Sequence, residues 1–489
     1  MKATKLYMLA GAMAAGILSA DAQEVSRTAY FLEGYNFRHE MNPALTPERG
    51  YFAMPVLGNL GIGTQANIGI NNFIYTAPGN KLTTFMNKSV SSSEFLGGLS
   101  NTNKLLTGFD LNIISLGFKG FGGYNTLGIS VKTDVGMSLP KGLFEFMKVG
   151  QTGPNTKYDF GNLRLRAMSY GEIALGHQRQ ITPELAAGIK VKFLLGLAHV
   201  DANIKKMDIS MGDKKWVIDG DGEIFIGAGN GLYVPTNAES GKELDKPSRS
   251  QQIDFGGIQY NNFGLAGFGM AFDLGATYDM SRFVDGLRLS AAVTDLGFIK
   301  WSGAAVGKMP GRAWTFDGFQ DIAIDDTQDD YNDNSIDQQL EDLGDKLVDC
   351  LNFEKDSSDG ADTRALHATI TVGAEYDMPF YKRLSAGFLF TQRLAGCFSW
   401  TEGRFSANVK PTGWFDATVS YGASTFGSSF GWMLNFHPKG FNFFVGSDHQ
   451  VFKVTKNPYL PVGHMNVNVQ FGINFTFGGK YKGKPIVKG

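Results

Sequence analysis

Arg164 and Arg166, and again Lys190 and Lys192, stand two residues apart in neighbouring strand-like segments. Residues i and i+2 of a strand share a face. Each pair therefore lies opposite the apolar side of its own segment, and the two segments read as one hairpin. Such a basic patch can receive a carboxylate-headed ligand through charge-assisted hydrogen bonds. The competing reading is neutralisation by acids of the same chain, with Asp134, Glu172 and Glu48 as candidates. A second constellation is acidic: Asp330, Asn332, Asn334 and Glu341 match the spacing of a calcium loop, although Ser335 stands where that loop requires glycine. A solvated acidic loop is the alternative, and "IDGDGE" at 218–223 is a weaker candidate of the same kind. Cys350 and Cys397, the two cysteines of the chain, either pair in an oxidising compartment or remain separate thiols. No G-x-S-x-G, H-E-x-x-H, P-loop or repeated C-x-x-C occurs, so no enzyme is expected and, calcium apart, no cofactor.

The elements that must position these residues are strands. In "MNVNVQFGINFTF", Met465 to Phe477, every odd-numbered residue is apolar and every even-numbered one is polar or glycine. At about 3.3 Å per residue this is long enough to cross a bilayer core when tilted. Val467, Val469, Phe471, Ile473 and Phe475 are expected to meet lipid, while Asn466, Asn468, Gln470 and Asn474 face a hydrated lumen. Similar alternation places strands near 56–69, 108–118, 125–138, 163–178, 186–199, 262–279, 286–298, 367–378, 384–393, 402–409, 414–422, 428–436, 441–447 and 465–477. That is about fourteen, the even number that bacterial barrels require. Short connections at 119–125, 179–185, 280–286, 378–383, 410–414 and 437–440 alternate with long ones near 70–107, 139–162, 200–261, 299–366 and 448–464. A secreted sandwich or propeller, the alternative, has no reason to sort its loops by parity. The expected fold is an all-β transmembrane antiparallel barrel, residues 56–477.

At the amino end, Lys2 and Lys5 precede an apolar run and Ala20-Asp21-Ala22, which reads as a signal peptide over 1–22 and as export to the outer membrane. The formal net charge of −2 offers no basic surface for nucleic acid. Residues 23–55 carry no sustained period and are expected to plug a lumen too wide for wall side chains to fill. Within the acidic loop 299–366, Ile336, Leu340, Leu343 and Leu347 have helical spacing. Residues 478–489 form a basic tail on the short-turn, periplasmic side.

"RHEMNPALTP", with Asn42-Pro43-Ala44 ahead of the first strand, resembles the Asn-Pro-Ala motif in the amino-terminal hatch of the FadL-like outer-membrane proteins, the long-chain fatty-acid transporter family. With "FAMPVLGNLGIG" and "LSAAVTDLGFIKWSG", the chain is similar to a Bacteroidota branch of FadL-like and PorV-like proteins. The resemblance implies a fourteen-stranded barrel whose hatch controls passage of hydrophobic small molecules. It also implies a rival role of another class, a PorV-like barrel that binds or hands over secreted proteins. A monomer in outer-membrane lipid is the expected assembly.

Overall fold

The computed structural model describes residues 26–487, except 78–80, 154, 214, 228, 230–231, 243–246, 261–263, 312, 317–344, 346–348, 350, 357–359 and 450–465. The chain closes into one antiparallel cylinder of fourteen wall strands. The first, β1, is in two pieces, Gly50–Ala53 and Leu60–Ala66. The next six are β2 (Thr102–Gly120), β3 (Gly123–Pro140), β4 (Leu163–Gln180), β5 (Leu185–Gly212), β6 (Gly267–Asp279) and β7 (Leu287–Lys308). The last seven are β8 (Thr369–Asp377), β9 (Leu384–Arg393), β10 (Trp400–Val409), β11 (Phe415–Ser424), β12 (Gly427–Phe436), β13 (Phe441–Ser447) and β14 (Val467–Phe477). Closure is direct, since β1 pairs with β14 through Gly50↔Phe477 and Leu60↔Phe471 and with β2 on its other edge.

All fourteen expected strands are present, with two kinds of difference. The first wall strand starts at Gly50 rather than 56 and is interrupted over 54–59, where Pro55 removes a ladder donor and Val56 adopts φ 68°. The strands β5 and β7 run well past their expected ends, because on the long-loop side they continue into a sheet with the extra strand Trp216–Gly227. Asp219, Asp221 and Glu223 of "IDGDGE" lie on that strand. Asp219 and Glu223 are paired with Lys206 and Lys205, so the segment is a strand laddered to β5 and β7 and not a loop. Residues 67–77, 81–101 and 141–149 also fold on the long-loop side, around helices α1 (Ser92–Gly97) and α2 (Lys141–Val149). They share a core of Ile68, Val90, Phe95, Leu99 and Phe144.

The dyad pattern sorts the wall as expected. Val467, Val469 and Phe475 are 43–51% exposed on the outside, whereas Asn468, Gln470 and Asn474 are buried inside. The outer surface carries Phe268, Leu274, Val372, Phe405 and Val419, all exposed. A belt of large apolar side chains this continuous has hydrocarbon as its physical solvent. No helix among the described residues is long and apolar enough to cross a membrane. With closed strand pairing, the wall needs none.

Candidate functional site

Residues 26–49 are held inside the cylinder. Their side chains Tyr30, Phe31, Leu32, Tyr35, Phe37 and Met41 form one buried cluster with Leu389, Met433 and Phe444 from the inner faces of β9, β12 and β13. A segment with no regular ladder must satisfy its backbone elsewhere, and the wall's amides and acids do this. Gln470 Oε1 accepts from the Ser26 amide at 2.8 Å. Asp448, just past β13, accepts from Ser26 Oγ at 2.8 Å and from the Arg27 and Thr28 amides at 2.9 Å each, capping the short turn Arg27–Ala29. Asn442 Nδ2 bonds Asn435 Oδ1 at 2.8 Å and the Gly34 carbonyl at 3.4 Å. This is why the inner face of β14 and its neighbours is polar yet uncharged: its partners are backbone groups and other side-chain amides, which an amide satisfies without the desolvation cost of an ion.

Charged anchors reinforce the mooring. Glu402 pairs with Arg27 at 3.0 Å and Arg404 at 2.8 Å, and the Arg27 guanidinium lies 4.6 Å above the Trp400 ring. His449 Nε2 sits 3.2 Å from Arg27. Burial, followed by the charge of Arg27, pulls the His449 pKa down to about 4, so the ring is neutral at pH 7. Across the lumen, Glu33 contacts Lys410 and Arg288. Burial pushes the Glu33 carboxyl up, but Lys410, Arg38 and Arg288 outweigh it and hold the group at about 2. Lys190 Nζ donates to the His39 carbonyl at 3.0 Å. Burial, with Lys190 alongside, keeps His39 neutral.

The Asn42-Pro43-Ala44 turn meets the wall at a matched pair of glycines. Asn42 is fully buried. Its Oδ1 accepts from the Ala44 amide at 2.9 Å, and its Nδ2 donates to Tyr30 Oη at 3.1 Å and to the Ala276 and Ala291 carbonyls at 3.4 Å each. Gly275 and Gly188 face each other across β6 and β5. A Cβ on Gly275 would lie 2.0 Å from Asn42 Oδ1, and one on Gly188 would lie 2.2 Å from the Pro43 carbonyl oxygen. The wall is thus thinned to backbone where the turn docks. The carbonyl contacts explain what Asn contributes beyond its own turn.

The four basic candidates all lie on the inner side, yet they separate into distinct environments. Lys192 is buried between Asp273 at 2.9 Å and Asp295 at 2.6 Å, with Glu172 at 3.8 Å. Lys190 adds Asp273 at 3.8 Å to its bond with His39. Arg164 makes a two-pronged contact with Asp201, Nε at 2.8 Å and Nη2 at 2.6 Å, and its Nη1 lies 3.9 Å from Cys397 Sγ. Of the three suggested acids, Glu172 is in this network, Asp134 pairs instead with Arg393 at 3.0 Å, and Glu48 with Lys480 at 2.8 Å. Arg166 differs. Its guanidinium stacks 5.0 Å over Phe398 and touches His367 Nδ1 at 3.4 Å, and no carboxylate is paired with it among the described residues. It borders a slot of about 50 Å³ lined also by Leu106, Asp134, Val135, Arg393, Ala395 and Trp400. Phe398 and Trp400 were not singled out in the sequence; an aromatic residue spaced to stack on a lumen arginine is the signal that marks them.

Asp330, Asn332, Asn334 and Glu341 of the calcium pattern, the helical residues Ile336, Leu340, Leu343 and Leu347, and Cys350 lie outside the described residues, as does the signal segment. Cys397 is half-buried beside Arg164.

Residues 43–448 match the family model described as "Family of unknown function (DUF5723)". The chain belongs to that family. No curated protein matches this DUF5723 chain. Among solved structures it is similar to the Ralstonia pickettii toluene transporter TbuX, at 11% identity over 94% of this chain and 100% of that one, with a TM-score of 0.42. It is also similar to the P. putida toluene transporter TodX, at 10% identity over 91% and 94% of the two chains, with a TM-score of 0.40.

Proposed function

We propose that this DUF5723 protein is an outer-membrane channel that passes hydrophobic small molecules, in the manner of the FadL-like family, with residues 26–49 as a hatch that stays moored in the lumen. The observation that carries this reading is the slot at Arg166. It combines a guanidinium that has no carboxylate paired to it among the described residues with aromatic and aliphatic lining, at the entrance above an apolar hatch, inside a lipid-embedded wall. A hydrophobic molecule with an anionic or aromatic end has its polar group at Arg166 and its ring or chain against Phe398, Trp400 and Leu106. Passage then requires the hatch's apolar side chains, Tyr30 to Met41, to part from the wall they pack against, and needs no energy input from the barrel. Arg164, Lys190 and Lys192 serve mainly to hold the wall and the hatch, because their charge is already matched.

The test is binding of dodecanoate and of toluene to the detergent-purified protein. Arg166→Ala should weaken dodecanoate binding by roughly tenfold or more, the worth of one charge-assisted bond, with little effect on toluene. Arg164→Ala should lower stability rather than affinity. Unchanged dodecanoate affinity in Arg166→Ala would remove the assignment.

A further inference from the structure

We infer that the carboxyl-terminal tail, Gly478 to Val487, is a strap that narrows a port on the short-turn side of the barrel. This rests on reading the lumen as a conduit. The tail does not leave the protein after β14; it turns back along the rim and is tied at three successive points. Arg49 Nη1 donates to the Gly478 carbonyl at 3.1 Å. Lys480 pairs with Glu48 at 2.8 Å, the Tyr481 amide donates to the Glu48 carbonyl at 2.6 Å, and the Tyr481 ring packs edge-on against Tyr124 at 5.5 Å. The Ile486 and Val487 amides then donate to the Gln180 and Ile181 carbonyls at 3.2 and 2.9 Å. The strap therefore bridges the foot of the hatch, where residues 48 and 49 enter β1, to the turn between β4 and β5.

Beside it opens a cleft of about 490 Å³, within the size range of small-molecule sites, bounded by Gln180, Pro183, Thr277 and Arg288 of the wall and by Gly483 and Pro485 of the strap. Arg288 reaches inward to Glu33 of the hatch at 3.7 Å, so the cleft adjoins the hatch's short-turn end. Glu375 and Asp377, at 3.1 and 2.9 Å, already neutralise that arginine, and Glu184 and Asp279 add carboxylates to the rim. Lys482 and Lys484 of the strap flank Gly483, so the rim of the cleft carries both signs of charge. Of its two edges only the strap is a single unpaired-sided segment held by an ion pair, a ring contact and a few amides; the other edge is continuous wall.

The experiment uses the full chain in detergent, with both native cysteines replaced by serine, Thr277→Cys as reporter in the cleft, and an impermeant maleimide. Unhooking the strap with Lys480→Ala plus Tyr481→Ala, or truncating after Gly478, should speed labelling by about threefold to tenfold, the weight of one ring contact plus one exposed ion pair. A Thr425→Cys reporter on the long-loop side should label at an unchanged rate, which shows that the barrel remains folded. Equal Thr277→Cys labelling with and without the strap overturns the inference. No cargo is present in this assay, so its failure is distinct from failure at Arg166.

Discussion

The docking of Asn42-Pro43-Ala44 on a glycine pair makes a quantitative prediction. Replacing Gly275 with alanine puts a methyl 2.0 Å from Asn42 Oδ1 and 2.8 Å from Pro43 Cδ; replacing Gly188 puts one 2.2 Å from the Pro43 oxygen and 2.6 Å from the Ala44 amide nitrogen. Ordinary contact begins near 3.4 Å, so the turn must retreat by more than an ångström. That retreat breaks the bonds from Asn42 to the Ala276 and Ala291 carbonyls and strains the packing of Tyr30. Overpacking costs about 1–3 kcal/mol, and each lost hydrogen bond about 1 kcal/mol. Either variant should therefore lose about 2–4 kcal/mol, and residues 26–49 should be cut faster by added protease. The control is Gly128→Ala, whose new methyl meets nothing nearer than 3.9 Å and which shares the same small gain from a stiffer unfolded chain. Thermal midpoints in detergent, with timed proteolysis, measure both effects. If Gly275→Ala and Gly188→Ala behave like Gly128→Ala, the turn does not bear on the wall and the mooring scheme is wrong.

Acid should loosen the mooring at Asp448. His449 is neutral in the folded protein with a pKa near 4 against an ordinary value of 6.5, so the unfolded chain takes the proton first. Stability should fall as pH drops from 6.5 to 4 and level off below, by on the order of 3 kcal/mol. The wild-type melting curve should show this loss and His449→Gln should lack it; parallel curves would refute the assignment. Lys192→Met takes the closest cation from both Asp295 and Asp273, leaving Asp273 only Lys190 at 3.8 Å, and should cost about 3–5 kcal/mol, read from chemical denaturation, whereas Arg166→Met should change stability by less than half of that. Val469→Arg, on the outer face, should cost about 2–4 kcal/mol in vesicles if that position lies near the bilayer midplane. A neutral result would mean that this face does not meet hydrocarbon.

Most of the barrel was legible because period-two alternation is imposed by two different solvents on the two faces of each strand, and nothing within the wall overrides it. The strand ends at 384–393 and 441–447 coincide with those expected, since turn residues flank both. The break at 54–59 was hidden because "MPVLGNLGIG" keeps its apolar residues while the backbone leaves the ladder; only Pro55 hints at it. The overrun of β5 and β7 was missed for the opposite reason. Past residue 199 the strand is no longer in the bilayer, and charge reappears on both faces. In the site, parity placed Arg164, Arg166, Lys190 and Lys192 on the inner side, but parity carries no information about which cation meets an acid from a distant strand. Gly188 and Gly275 read as ordinary strand glycines until the turn that approaches them is known.

The interruption of β1 bears on the order in which the molecule is put together. Thirteen joints of the cylinder link neighbours in sequence, and only the one between β1 and β2 shares the break of β1, in pieces 51–53 against 115–117 and 60–66 against 105–111. The fourteenth, between the first and last wall strands, is made in two separated pieces, Gly50–Ala53 against 474–477 and Leu60–Thr64 against 467–471. Residues 26–49 contact β7, β10, β11 and the segment after β13 from within, and side chains as bulky as Phe31 and Tyr35 cannot be threaded through a finished ring. Assembly must therefore lay this segment in an open trough and shut the joint between β1 and β14, which links the two ends of the wall, last.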